Sequence, residues 1–268
     1  MMKKNLKKMR TACRNLILVS TLLFFALLKT GAESNTPEAL VHFAKGNEFF
    51  QNGAYEKAIE SYLRVDSMGF ESPALYYNLG NSFFRSNKLG KARLYFEKAL
   101  LMDPSDEDIT KNLEFLESYL PDRFEKVPVL FHIRWIRWLI GVFSSDQWFR
   151  LSVFLFILFS AGLITFRTAR TIAMKKAGFF SAIVFLVLSL SFYIFSGNRF
   201  RTVHNPGTAI IMVTSESVKS SPSTSGKELF ILHEGTKVLT REKLDTWVEI
   251  VISDGRKGWI PAGSIEPV

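Results

Sequence analysis

One cysteine, Cys13, and four dispersed histidines leave this chain little material for thiol or metal chemistry. A single cysteine excludes an intrachain disulfide framework and a thiolate metal cluster. His42, His132, His204 and His233 fall in four separate segments with no metal-ligand spacing. A nucleotide-binding glycine loop, a GxSxG elbow and an HExxH stretch are all missing. The acidic run 103–108 lacks the DxSxS wording of a metal-dependent adhesion site and reads as a helix start. His233 and Glu234, in the wording HEGT, read as turn residues. The expectation is therefore no enzyme activity, no cofactor and no metal. Nucleic acid is not expected either, despite a net charge of +9. Many of the cations sit in the N-terminal tail and in one later loop, where membrane topology accounts for them.

Long apolar runs are what the chain does have. Residues 148–166 and 177–195 are nineteen residues each, with Arg150 as the only charge. At the helical rise each covers about 28 Å, close to the hydrocarbon thickness of a bilayer. The pair predicts a transmembrane hairpin. Its loop, 167–176, carries Arg167, Arg170, Lys175 and Lys176 without an acid, which marks the loop as cytoplasmic. Residues 1–32 have the layout of a signal peptide: a cationic head, a thirteen-residue apolar segment at 16–28, and Thr30-Gly31-Ala32. An uncleaved anchor is the alternative. Either reading exports the next segment, so both soluble regions are expected outside the cytoplasm. Residues 128–144 place Arg134 and Arg137 on one narrow stripe of a helix rich in tryptophan and isoleucine. That pattern suits an amphipathic helix in the membrane interface, or else a docking helix.

An internal repeat occupies 37–120. Gly46 and Gly80 are 34 residues apart, as are Phe49 and Phe83, Ala58 and Ala92, and Tyr62 and Phe96. The wording KGNEFFQNGAYEKAIESYLRV and LGNSFFRSNKLGKARLYFEKA resembles the tetratricopeptide repeat. Small residues let antiparallel helices approach while aromatics fill the gaps. A third helix at 106–120, capped by Ser105, would cover the open end with Ile109, Leu113, Leu116 and Leu120. Some members of that family grip a C-terminal carboxylate. Asn47 and Asn78 match its asparagines, but Phe43, Asp108 and Asn112 stand at its cationic positions. A carboxylate clamp is not expected. Asn47, Tyr77, Asn78, Asn81 and Arg85 are the candidate lining of a protein-binding groove, or merely solvate that face and cap helices.

Residues 205–268 change to short alternating segments. Strands are expected at 209–214, 229–232, 237–240, 247–252 and 257–260, with Asp254-Gly255 as a hairpin turn. This region resembles a bacterial SH3 domain, which implies a small all-β barrel. Trp247 and Trp259 would then form an aromatic ligand platform, or pack at the core and rim.

The fold expected is thus a multidomain membrane protein: α-helical tetratricopeptide repeats, a two-helix transmembrane hairpin and a small all-β bacterial SH3 barrel. The order of modules, with LHEGT and DGRKGWIP, resembles the BatE-type proteins of the Bacteroides aerotolerance operons. That resemblance implies an inner-membrane component with its soluble modules on the periplasmic side, linked to tolerance of oxidative stress. It also implies partners: von Willebrand factor A-domain membrane proteins and a MoxR-type ATPase system, beside the lipid bilayer. Two functions stay open. One is an extracytoplasmic protein-interaction scaffold. The other is a cell-envelope protein that recognises peptidoglycan and recruits an enzyme through its repeats.

Overall fold

The computed structural model describes residues 36–124 and 130–268. The expected signal segment, 1–32, lies outside the described residues. The described chain falls into two compact units. One is the apolar stretch 143–200; the other combines the repeats, through Val142, with Arg201–Val268.

In the second unit the repeats form two helical hairpins, α1 (Thr36–Gln51) with α2 (Tyr55–Ser67) and α3 (Pro73–Arg85) with α4 (Leu89–Met102). Helix α5 (Glu107–Glu117) follows. The 34-residue period is visible in the turns. Gly53 and Asn87 occupy the same repeat position and both take positive φ, 73° and 57°. Asparagine is one of the few side chains that adopts this conformation at small cost. The Ser72 hydroxyl caps α3 by accepting from the Leu75 N–H at 3.1 Å, with Pro73 in the first turn. Helix α5 is capped by Asp106 and not by Ser105. The Asp106 carboxylate accepts from the N–H groups of Asp108 and Ile109, while the Ser105 hydroxyl is turned to Asp103.

The same interior contact is built twice. Gly46 sits under the Tyr62 ring and Gly80 under the Phe96 ring, so that a Cβ at Gly80 would lie 2.6 Å from a ring carbon. Leu79, Ala58, Ala92 and Ala99 are wholly buried around these contacts.

The C-terminal region forms β1 (Thr208–Ile211), β2 (Ser215–Lys219), β3 (Glu228–His233), β4 (Lys237–Leu244), β5 (Trp247–Val251), β6 (Lys257–Pro261) and β7 (Ile265–Pro267). The expected SH3 barrel is not what forms. The seven strands make one open sheet in the order β3-β2-β6-β5-β4-β1-β7, and its terminal strands β3 and β7 do not pair with each other. The physical reason lies at β1. Ala209 and Ile211 face the sheet's own core, whereas Ile210 belongs to the helical core, joined by Met212 and Val268. Helices thus cover the second face of β1, the face an isolated barrel would turn to solvent, so part of the sheet's burial comes from the repeats and not from closure. The three-residue β7, with Pro267 lacking an N–H, offers little ladder for closure.

In the first unit, α7 (Ser145–Thr168) and α8 (Ile172–His204) are the long apolar helices; α6 (Phe131–Gly141) belongs to the other unit. Both helices extend past the expected spans, leaving only residues 169–171 between them. Mean hydropathy reaches 2.1 and 2.2 in their most apolar windows, of which 11% and 17% is buried. A soluble core helix would hide that surface, so the pair has the character of a membrane hairpin. Small residues form its seam. Ser152 and Ser189 each donate a hydroxyl proton to the other's carbonyl, at 2.9 and 3.0 Å. Ser145 and Ser196 repeat the exchange at 3.1 and 2.9 Å. Gly162 packs against Ala182 and Gly178 further along.

Replacing Gly80 by alanine should destabilise the repeats by about 1–3 kcal/mol, the usual cost of overpacking. Gly197→Ala, where an added Cβ meets nothing within 4 Å, serves as the control. Denaturant titration followed by far-ultraviolet circular dichroism reads both.

Candidate protein-binding surface

The inner helices of the repeats, α1 and α3, together with α5, bring most of the expected groove residues to one face. Two of the asparagines are spent on holding it together. Asn47 Oδ1 accepts from the Tyr62 hydroxyl at 2.7 Å and from Asn78 Nδ2 at 3.1 Å, which ties α1, α2 and α3. Burial pushes the Tyr62 hydroxyl up to about 12, so it remains a donor at any physiological pH. The Tyr77 hydroxyl accepts from Asn112 Nδ2 at 2.6 Å, tying α3 to α5. Asn81, half-buried, and Arg85, exposed, continue the same face of α3 at four-residue spacing.

Beyond them lies a feature that the sequence reading missed. Phe84 of α3 meets Phe115 and Tyr119 edge to face, at 5.7 and 5.4 Å, and the latter two meet at 5.1 Å. Phe115 is 53% exposed and Tyr119 55%. The available signal was an aromatic pair at i and i+4, off the stripe of Ile109, Leu113 and Leu116 that covers the repeats. Two exposed rings, Phe115 and Tyr119, thus stand on the half-buried Phe84, which packs against the helical core.

Trp247 and Trp259 sit elsewhere. Along β5 and β6 the buried residues are Val248, Ile250, Gly258 and Ile260, so both tryptophans point away from the sheet's core. Neither is a core residue. Glu249 pairs with Trp259 and Trp247 with Pro261, making the tryptophans diagonal neighbours on the outer face. The structure does not bring them to the groove residues of the repeats.

The HEGT turn is a docking element between sheet and repeats. Asp122 Oδ2 accepts from the His233 N–H at 2.7 Å and from the Thr236 hydroxyl at 2.6 Å. Its other oxygen lies 2.7 Å from His233 Nδ1. Burial alone would raise the Asp122 carboxyl, but the hydrogen bonds from Thr236 and His233 outweigh it and hold the pKa below the usual range. Glu234 Oε1 accepts from the Gly90 N–H at 2.9 Å, placing a carboxylate at the N-terminus of α4. Glu97 of α4, only 3% exposed, contacts Lys237 at 2.6 Å and Arg93 at 3.7 Å. Arg93 in turn reaches Glu117 at 2.8 Å. Arg93, Glu97, Glu117, Asp122, Thr236 and Lys237 border a cleft of about 600 Å³ between repeats and sheet. Among the described residues no group of three or more His, Cys, Asp or Glu is arranged to hold a metal ion.

Comparison with known proteins places the repeats in a class. The description "TPR repeat" matches residues 46–87 and "Tetratricopeptide repeat" matches residues 73–106. The chain therefore contains tetratricopeptide repeats, the module of a broad superfamily of protein-interaction scaffolds. No curated protein matches the chain. Among solved structures, the crystal structure of yeast Tom70 is similar at 16% identity and a TM-score of 0.24. That similarity covers 62% of this chain and 49% of the Tom70 chain, so this chain spans about half the length of that protein.

Asp122→Ala should cost on the order of 3 kcal/mol at neutral pH, since it strands donors that a charged acceptor now satisfies. Because the folded pKa is depressed, this contribution is present above the unfolded value of about 3.9 and fades as pH falls through the folded one. Thermal unfolding in detergent should show the wild type and variant converging in acid. A gap independent of pH would contradict this role.

Proposed function

We propose that the protein is a membrane-anchored scaffold that holds extracytoplasmic protein partners on the inner face of its repeats. The carrying observation is the exposed pair Phe115 and Tyr119, set on the half-buried Phe84 and contiguous with Asn81 and Arg85 on a face built by helices α1, α3 and α5. Exposed aromatics rimmed by polar groups are the usual anchors of a protein interface. The hairpin of α7 and α8 supports anchoring, because its apolar exterior needs a lipid environment. Two crossings leave the repeats and the sheet on one side of the bilayer. The acid-free basic segment 167–176 favours the cytoplasm for the turn, and the periplasm of a bacterial inner membrane for the rest.

The resemblance to BatE-type proteins supports a finer reading. The partner would be a membrane protein with a von Willebrand factor A domain on the same side, acting with a MoxR-type ATPase system in an envelope complex that protects against oxidative stress. Tethering both proteins to one membrane raises their effective concentration, so a modest groove suffices. No residue here is assigned a catalytic role.

Crosslinking in whole cells, followed by purification and mass spectrometry, tests the scaffold. Phe115→Ala with Tyr119→Ala should weaken partner recovery about thirty-fold, the effect of losing roughly 2 kcal/mol at an aromatic anchor. Folding of the repeats should persist, because both side chains are more than half exposed. Capture of no stoichiometric partner by the wild type would defeat the proposal. Reporter fusions at Ser67 and Ser225 should both be active outside the cytoplasm, and one at Arg170 inside it.

A further inference from the structure

Helix α6 presents a surface that the scaffold reading does not use. Phe131, Trp135 and Trp138 follow one another at i, i+4 and i+7, which puts three aromatic rings on one face. They are 75%, 56% and 61% exposed, and Ile136 beside them is exposed as well. Arg134 is also exposed in the same turn. The opposite end of the helix leans on the repeats, where a Cβ at Gly141 would lie 3.4 Å from the Pro104 ring. No Asp or Glu occurs between residues 130 and 144, whereas His132, Arg134 and Arg137 do.

We propose that α6 lies in the headgroup layer of an anionic bilayer, with Phe131, Trp135 and Trp138 at the acyl boundary and Arg134 at the lipid phosphates. The inference rests on the reading of α7 and α8 as membrane-spanning. Continuity of the chain then selects lipid as the occupant of this face. Only residues 142–144 separate α6 from α7, and three residues reach about 10 Å when extended. The headgroup region on each side of the hydrocarbon core is roughly 5–8 Å thick. The C-terminus of α6 is therefore held within about 10 Å of the residue at which α7 begins, beside the headgroup layer. Tryptophan favours this depth because its ring is apolar while its indole N–H needs a polar partner. The excess of basic over acidic residues selects an anionic surface over a neutral one.

The full chain, reconstituted into nanodiscs, provides the test. Trp148, Trp247 and Trp259 are replaced by phenylalanine, so that emission comes from Trp135 and Trp138. Lipids brominated near the headgroup should quench this emission more than lipids brominated at the chain end. Quenching should deepen when phosphatidylglycerol is added to phosphatidylcholine and weaken at high salt. Arg134→Gln with Arg137→Gln should remove the phosphatidylglycerol dependence, at about five-fold in binding for each arginine lost. Amide hydrogen exchange over residues 131–141 in the unsubstituted chain covers the case that the triple tryptophan replacement misfolds. It should show stronger protection in anionic discs. Reconstituted protein whose Trp135 and Trp138 escape quenching, with exchange unchanged, overturns the proposal and leaves the aromatic face to a protein. Equal behaviour in neutral and anionic discs overturns the lipid selectivity. Failure of the chain to enter discs at all is a different result, since it removes the membrane reading on which the inference stands.

Discussion

A carboxylate sealed inside a protein has to be paired, and Glu97 shows what that requirement builds here. It sits in the middle of α4, almost fully buried, between Arg93 of its own helix and Lys237 of the sheet. Removing Lys237 would leave this desolvated carboxylate with only the longer contact to Arg93, a larger penalty than losing a surface ion pair. The pairing therefore fixes the sheet on the repeats with a definite register. Around it, Glu234 caps the start of α4, Asp122 holds the HEGT turn, and Ile210 enters the helical core. Polar groups set the position and apolar burial supplies the cohesion. Helix α4 is consequently covered on several sides and acts as the common wall of both modules.

Local order was legible in the sequence wherever one element fixed its own periodicity. The 34-residue spacing of glycines and aromatics located the helix pairs, and Gly80 under Phe96 is the contact which that spacing encodes. Nineteen-residue apolar runs located α7 and α8, although they did not show that serines would close the seam by reciprocal hydrogen bonds. The strands of the C-terminal region were mostly visible, apart from β2 and β7. What failed was their closure. Alternation tells which residues leave a strand on the same side, but not what covers each side. β1 reads Thr-Ala-Ile-Ile, and such a run fits a strand buried on both faces as well as a barrel wall. The helices that bury its second face lie more than a hundred residues earlier.

The candidate surface was partly legible for the same reason. Asn47 and Asn78 were recognisable as repeat positions, yet their amides serve mainly to bond α1, α2 and α3 together. Tyr77 is likewise engaged by Asn112. Sequence alone cannot separate a side chain that lines a groove from one that ties its walls, because both stand on the inner face. Three residues already committed within the repeats leave less of the upper groove free to meet a ligand. The free surface shifts toward Asn81, Arg85 and the aromatic cluster at the α5 end, where ring edges project outward.

Docking of the sheet also changes what the two modules are to each other. Had each been an independent bead on the chain, either could be lost without harm to the remainder. Ile210, Met212 and Val268 instead complete the helical core, and Lys237 neutralises Glu97. Without the sheet, α4 would expose apolar side chains and an acid paired only with Arg93. Loss of partner binding on deleting the sheet would then report damage to the repeats as readily as loss of a contact. The exposed rings of Phe115 and Tyr119 are free of that ambiguity, because their truncation leaves the buried network intact. Their exposure therefore matters twice: it makes them suited to meet a partner, and it keeps their role separable from the stability of the fold that presents them.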